Sequence, residues 1–135
     1  MKYLRVVTIL SGILLLLVLT LEIGEAASAR VRCRVKKQRV RILVDGRDLE
    51  PGIYFAKVVN LRTRKITETE PGKEAEATAL NPDVDLDFDS TAGPNDVDSF
   101  ISPRFARRGD RIRAGVFTAE TEELVAAAST RCWGR

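Results

Sequence analysis

The chain has 135 residues, two cysteines and no histidine, with 22 Lys and Arg against 19 Asp and Glu for a formal net charge of +3. The missing histidine excludes Ser-His and Cys-His nucleophile pairs, imidazole metal sites and a histidine pH switch. No glycine-rich phosphate cradle follows a strand, which leaves the chemistry of carboxylates, basic surfaces and the two cysteines.

Lys2 and Arg5 precede an apolar run from Val6 to Leu21, closed off by Glu22 and Glu25. Ala27-Ser28-Ala29 then supplies the small-x-small pattern that signal peptidase reads. Residues 1–29 are therefore expected to be an export signal cleaved after Ala29, with an uncleaved anchor as the alternative. The run is somewhat short of the ~20 residues a spanning helix needs. Cys33 follows Val31-Arg32, which does not suit lipoprotein processing. The expectation is a secreted or periplasmic protein with no stable membrane span after cleavage.

Residues 30–135 amount to one domain. Cys33 and Cys132 stand near its two ends, and an even cysteine count in an oxidising compartment points to one disulfide. Closing a loop of ~100 residues is worth ~4–5 kcal/mol in the chain-entropy model. The bond requires the first and last strands to lie together.

In chain order, Val31, Cys33 and Val35 alternate with Arg30, Arg32, Arg34 and Lys36, the period of a half-buried strand. Val40, Ile42 and Val44 repeat it, and Asp45-Gly46 reads as a turn. Leu49-Glu50-Pro51-Gly52 is a second turn, leading into a strand from Ile53 to Val59. Arg64 to Glu70 is a weaker strand, stopped by Pro71-Gly72. Glu74 to Leu80 alternates up to Asn81-Pro82. Val84, Leu86 and Phe88 alternate with Asp83, Asp85, Asp87 and Asp89. Ser90 to Pro103 lacks strand pattern, and Phe100, Ile101 and Phe105 are expected to tuck it under the sheet edge. Arg111 to Phe117 follows the Gly109-Asp110 turn. Glu120 to Ser129 has helical propensity, but Leu124, Ala126, Ala128, Thr130 and Cys132 also alternate. A hairpin turning at Glu120 to Glu123 is preferred because it carries Cys132 back toward Cys33.

Seven or eight short strands in an exported chain of this length predict an all-β, two-sheet antiparallel sandwich, immunoglobulin-like, after the N-terminal signal peptide. The segment Leu49-Glu50-Pro51-Gly52-Ile53-Tyr54-Phe55 resembles the turn-into-strand element of immunoglobulin-like and transthyretin-like sandwiches. The whole chain resembles small secreted bacterial β-proteins with a cysteine in the first and last strands. Trp133 lies after Cys132 and not between the cysteines, unlike the immunoglobulin pattern. The resemblance implies a fold and no activity.

Charge is segregated along the chain. Arg30, Arg32, Arg34, Lys36, Lys37, Arg39 and Arg41 crowd the first two strands, while Asp83 to Asp98 holds six Asp and no basic residue. The basic strands could bind an anionic polymer. Alternatively, they could face the acidic stretch, with Arg32, Arg34 and Arg41 each finding a carboxylate across the sheet. The second arrangement is preferred, because like charges opposite one another destabilise a ladder. No aromatic residue interleaves with these cations, so nucleic acid is not an expected partner.

Asp85-x-Asp87-x-Asp89, with Asp96 in twelfth place, has the spacing of a helix–loop–helix calcium site. Ser90 stands where that loop needs Gly, and in a strand alternate carboxylates lie ~6.5–7 Å apart, too far to share one ion. A looser calcium site of Asp89, Asn95, Asp96 and Asp98 in the Gly-Pro loop is the better candidate, since its donors are all oxygen. The functional expectation is an exported, non-catalytic structural or interaction domain of the cell envelope or extracellular space, with an envelope protein or anionic polymer as partner. A calcium- or polyanion-binding module is the alternative, and a carboxylate-dependent enzyme a distant one.

Overall fold

The computed structural model describes residues 26–134, and among them there are ten strands and no helix. Most of the expected export signal, residues 1–25, lies outside the described residues. Among the described residues no helix is long and apolar enough to cross a membrane.

The strands form a two-sheet β-sandwich. The first sheet contains β1 (Ser28–Lys36), β2 (Arg39–Arg47), β6 (Val84–Asp85), β7 (Phe88–Asp89) and β8 (Ser99–Phe100). Its order is β1-β2-β7-β8, with β6 also on β2, and only the β7–β8 pair is parallel. The second contains β3 (Gly52–Asn60), β4 (Ile66–Glu68), β5 (Ala75–Ala77), β9 (Arg111–Thr118) and β10 (Leu124–Arg131), in the order β10-β9-β3-β4 with β5 also on β3.

Period-two alternation turns one side of each sheet inward. Val31, Cys33, Val40, Ile42, Val44 and Phe88 from the first sheet and Tyr54, Ala56, Val58, Ile112, Ala114 and Val116 from the second are buried in one core. Ile101 and Phe105, from the segment before β9, are buried as well, whereas Phe100 is turned outward and 48% exposed. The tucked loop thus holds at Ile101 and Phe105 and not at Phe100. Its end is pinned by Asp110, which accepts Arg62 Nε at 2.6 Å and Asn60 Nδ2 at 2.9 Å.

A disulfide joins Cys33 on β1 to Cys132 just beyond β10, spanning 99 positions of sequence. Beside it Val35 N–H donates to Trp133 O and Trp133 N–H donates to Cys33 O, so the two sheets are stitched at this edge. The hairpin turns at Glu120–Glu123 as expected, and Glu122 takes a positive φ of 56°.

Three local expectations change. Asp45-Gly46 does not turn: β2 runs on to Arg47, with Gly46 paired to Ala29 and to Val84. A Cβ on Gly46 would stand 3.0 Å from Leu49 Cδ1 and 3.1 Å from Val84 Cγ2, so the glycine admits a close approach and the reversal falls after it. The single strand expected over 84–88 is two short ones, because Val44 N–H donates to the Asp87 carboxylate at 3.2 Å where a backbone carbonyl would continue the ladder. The segment expected to lack strands contains β8. Ser28 and Ala29 belong to β1, opposite Arg47 and Gly46, so the expected cleavage boundary falls within a strand.

Candidate functional site: a charge-divided sheet face

The residues that alternate with the core on β1 and β2 populate the outer face of the first sheet. Arg30, Arg32, Arg34 and Lys36 line edge strand β1, and β2 presents Arg39, Arg41, Leu43, Asp45 and Arg47 beside them. The register sets Arg34 opposite Arg41 and Lys36 opposite Arg39. On the other flank of β2, Asp85 faces Asp45 and Asp89 faces Arg41. One half of the face is cationic and the other is acidic.

The acidic half neutralises only part of the basic half. Arg39 donates two hydrogen bonds to Asp89, at 3.1 and 2.5 Å, and Thr91 adds its N–H and hydroxyl. Arg39 above all, with Thr91, holds the Asp89 carboxyl near pKa 2 despite its burial. Arg41 Nε lies 3.9 Å from the same carboxylate, beyond hydrogen-bond reach. Arg32 approaches Asp45, also at 3.9 Å. Arg34 has no carboxylate neighbour among the described residues and stacks its guanidinium 4.9 Å from the ring centre of Trp133. The expected cross-strand balance is therefore present at Arg32 and Arg41 and absent at Arg34. Between the side chains of Arg34, Lys36, Arg39 and Arg41 is a cavity of about 170 Å³.

On the acidic half, carboxylates crowd one another. Burial raises the Asp45 pKa, and the neighbouring Asp85 adds to the effect through a shared hydrogen bond and its charge. Burial also pushes Asp87 up to about 6, opposed by the Val44 N–H and reinforced by the charges of Asp98, Asp85 and Asp45.

The four residues read as a calcium site are dispersed among other duties. Asp89 is engaged by Arg39 and Thr91. Asp96 accepts the N–H of Gly93 in a local turn, and Asn95 is exposed. Asp98 contributes its backbone carbonyl to a different cation: Lys73 Nζ donates to Asp98 O at 2.8 Å and Gly93 O at 3.2 Å, and pairs with Glu70 at 3.0 Å. The loop does fold oxygens around a positive charge, but that charge is an ammonium whose side chain is only 9% exposed. Among the described residues, no three Asp, Glu or Cys side chains are grouped to hold a metal ion. Glu70 also accepts Phe100 N–H and donates its own N–H to Ser99 Oγ, tying the β4–β5 turn to β8. Lys73 and Glu70 pair locally, three positions apart, but the loop groups they hold, Gly93 O, Asp98 O, Ser99 Oγ and Phe100 N–H, lie 20 or more positions away and leave no sequence signal.

The outer face of the second sheet is more apolar. Ile53, Ile66 and Leu124 are exposed there, Phe55 and Phe117 stack at 5.4 Å, and Lys57 lies over both rings. No protein-family model matches the chain, and neither a curated protein nor a solved structure is significantly similar to it.

Proposed function

We propose that this chain is an exported, non-catalytic interaction domain of the cell envelope or extracellular space, and that it works through the charge-divided face of the first sheet. The observation that carries this reading is the Arg34, Lys36, Arg39 and Arg41 group, which meets a single carboxylate, Asp89, among the described residues. A fold gains nothing from like charges set opposite one another in a ladder. Such a group is better explained by what it meets outside the molecule. The Cys33–Cys132 disulfide is compatible with an extracytoplasmic location. The raised carboxylates, Asp45 and Asp87, are half-buried on the outer face of the first sheet, where Asp87 is used to accept Val44 N–H, and this structural use supports binding over carboxylate catalysis.

The test is expression of the full chain in a bacterial host, followed by fractionation and thiol trapping. The reading requires the protein outside the cytoplasm with both cysteines protected from alkylation. It also requires envelope association that weakens when Arg34 and Arg41 are both changed to Glu in a protein that still folds. Cytoplasmic retention with two free thiols, or association unchanged by the charge reversal, overturns it.

A further inference from the structure

We propose that Arg34, Lys36, Arg39 and Arg41 form a binding site for the sulfate or phosphate ester groups of an anionic polysaccharide. The inference rests on the interaction-domain reading and names the ligand class of that same face.

Four cations surround one cavity of about 170 Å³, which has room for an oxyanion group and its waters. Three of them are arginines, whose planar forks match tetrahedral oxyanions in pairs of hydrogen bonds; the Arg39 fork is on Asp89, which leaves those of Arg34 and Arg41. Two of the pairings across the β1–β2 ladder are cation against cation, Arg34 with Arg41 and Lys36 with Arg39. Asp89 is committed to Arg39, and the buried Arg41 Nε finds no hydrogen-bond acceptor among the described residues. The cavity is thus short of negative charge and of acceptors, and an oxyanion supplies both.

The surroundings select a polymer. Arg30, Arg32, Arg34 and Lys36 follow one another along the same face of edge strand β1, spaced ~6.5–7 Å apart. This row suits repeated charges on an extended chain. Asp85 and Asp87 lie beyond β2 and repel the polymer, while Asp45 stands opposite Arg30 and 3.9 Å from Arg32 and Asp89 is hydrogen-bonded to Arg39, so the unbalanced end of the row is Arg34 and Lys36. A lipid surface would need a cluster of apolar anchors, but Ile53, Ile66 and Leu124 are on the other sheet and Trp133, 52% exposed, stands singly beside the cations. Single-stranded nucleic acid would need stacking platforms. Beside the cavity Trp133 is a single half-exposed ring with Arg34 stacked against it, and Phe100, the other exposed aromatic of this sheet among the described residues, sits beside Asp89 on the acidic half.

Trp133 is the only tryptophan of the chain and stacks on Arg34, so its fluorescence reports directly on the site. The oxidised protein is titrated with dextran sulfate, dextran phosphate and neutral dextran, with sedimentation velocity run in parallel. The expected result is a saturable Trp133 response to one or both charged dextrans and none to neutral dextran, weakening steeply with added salt. Arg41→Gln and Lys36→Gln should each weaken binding about 5–10-fold. Arg41→Lys should recover part of the loss, and Arg108→Gln, outside the cavity, should change nothing. The proposal is overturned if neither charged dextran moves the signal, or if the cavity variants bind like the Arg108 control. It is overturned too if anionic vesicles or single-stranded DNA bind more tightly, or if salt-sensitive self-association shows that a second copy's carboxylates fill the site. An exported protein that binds neither dextran would remove this inference and leave the interaction-domain reading standing.

Discussion

Asp87 takes the N–H of Val44 with its side chain, filling a place in the ladder of the first sheet that a backbone carbonyl would otherwise occupy. The bond splits one expected strand into β6 and β7, and it anchors a carboxylate among three others. Its energetic consequence depends on pH. The folded pKa of about 6 stands above the ordinary carboxylate value. The folded state therefore holds the proton more tightly, and stability falls as pH rises from about 4 through 6. Asp87→Asn keeps the oxygen that accepts Val44 N–H and removes the charge. It should stabilise the protein at pH 7 by about 1 kcal/mol and flatten the fall in melting temperature between pH 5 and 7. Thermal unfolding of both proteins at the two pH values is the check.

Asp110 predicts the opposite slope. Arg62 first, with Asn60 and the N–H of Arg107, holds its carboxyl far below the usual range. The stability it contributes is complete above about pH 4 and is lost as pH falls below that. Asp110→Ala would leave one of the two buried Asn60 Nδ2 N–H groups without an acceptor, the other keeping Phe105 O, and should destabilise by about 2–4 kcal/mol at pH 7. Asp110→Asn should show a shallower loss on acidification than the parent. Urea unfolding at pH 7 and pH 3 distinguishes these outcomes.

The disulfide gives a third expectation. Cys33 and Cys132 close a span of 99 positions and are both buried. Cys132→Ala should lower stability by about 2–5 kcal/mol. Reductant should move the urea midpoint of the parent and leave that of the variant in place. Alkylation without reductant should label neither thiol of the folded parent.

Lys73 supplies the fourth. Its ammonium satisfies Gly93 O, Asp98 O and Glu70 together. Lys73→Met should destabilise by about 1–2 kcal/mol and speed hydrogen exchange at Phe100 N–H, which depends on Glu70 for its acceptor. Because the ammonium already uses these oxygens, millimolar calcium should leave the melting temperature of the parent unchanged. A calcium-specific rise would return the loop to the list of metal sites.

Alternating Val, Ile and Cys against Arg and Lys determined β1 and β2 and the side of each that turns inward, because a strand sends successive side chains to opposite faces. Val84, Leu86 and Phe88 located the acidic strand pair by the same rule, and two cysteines in an otherwise cysteine-free chain pointed to their own partnership. The sequence alone thus determined the fold class, the strand faces and the disulfide. What it left open was which charges meet. Asp89 was legible as a candidate ligand, yet its occupant is Arg39, 50 positions earlier. Lys73, which answers the carbonyls of the Gly-Pro loop, sits in a turn of the opposite sheet. Gly46 looked like a turn residue until Leu49 and Val84 packed over it. Burial follows from a period of two within one strand, whereas an ion pair or a close approach depends on register and on how two sheets stack. Those relations join residues tens of positions apart, so only the tertiary structure could decide them.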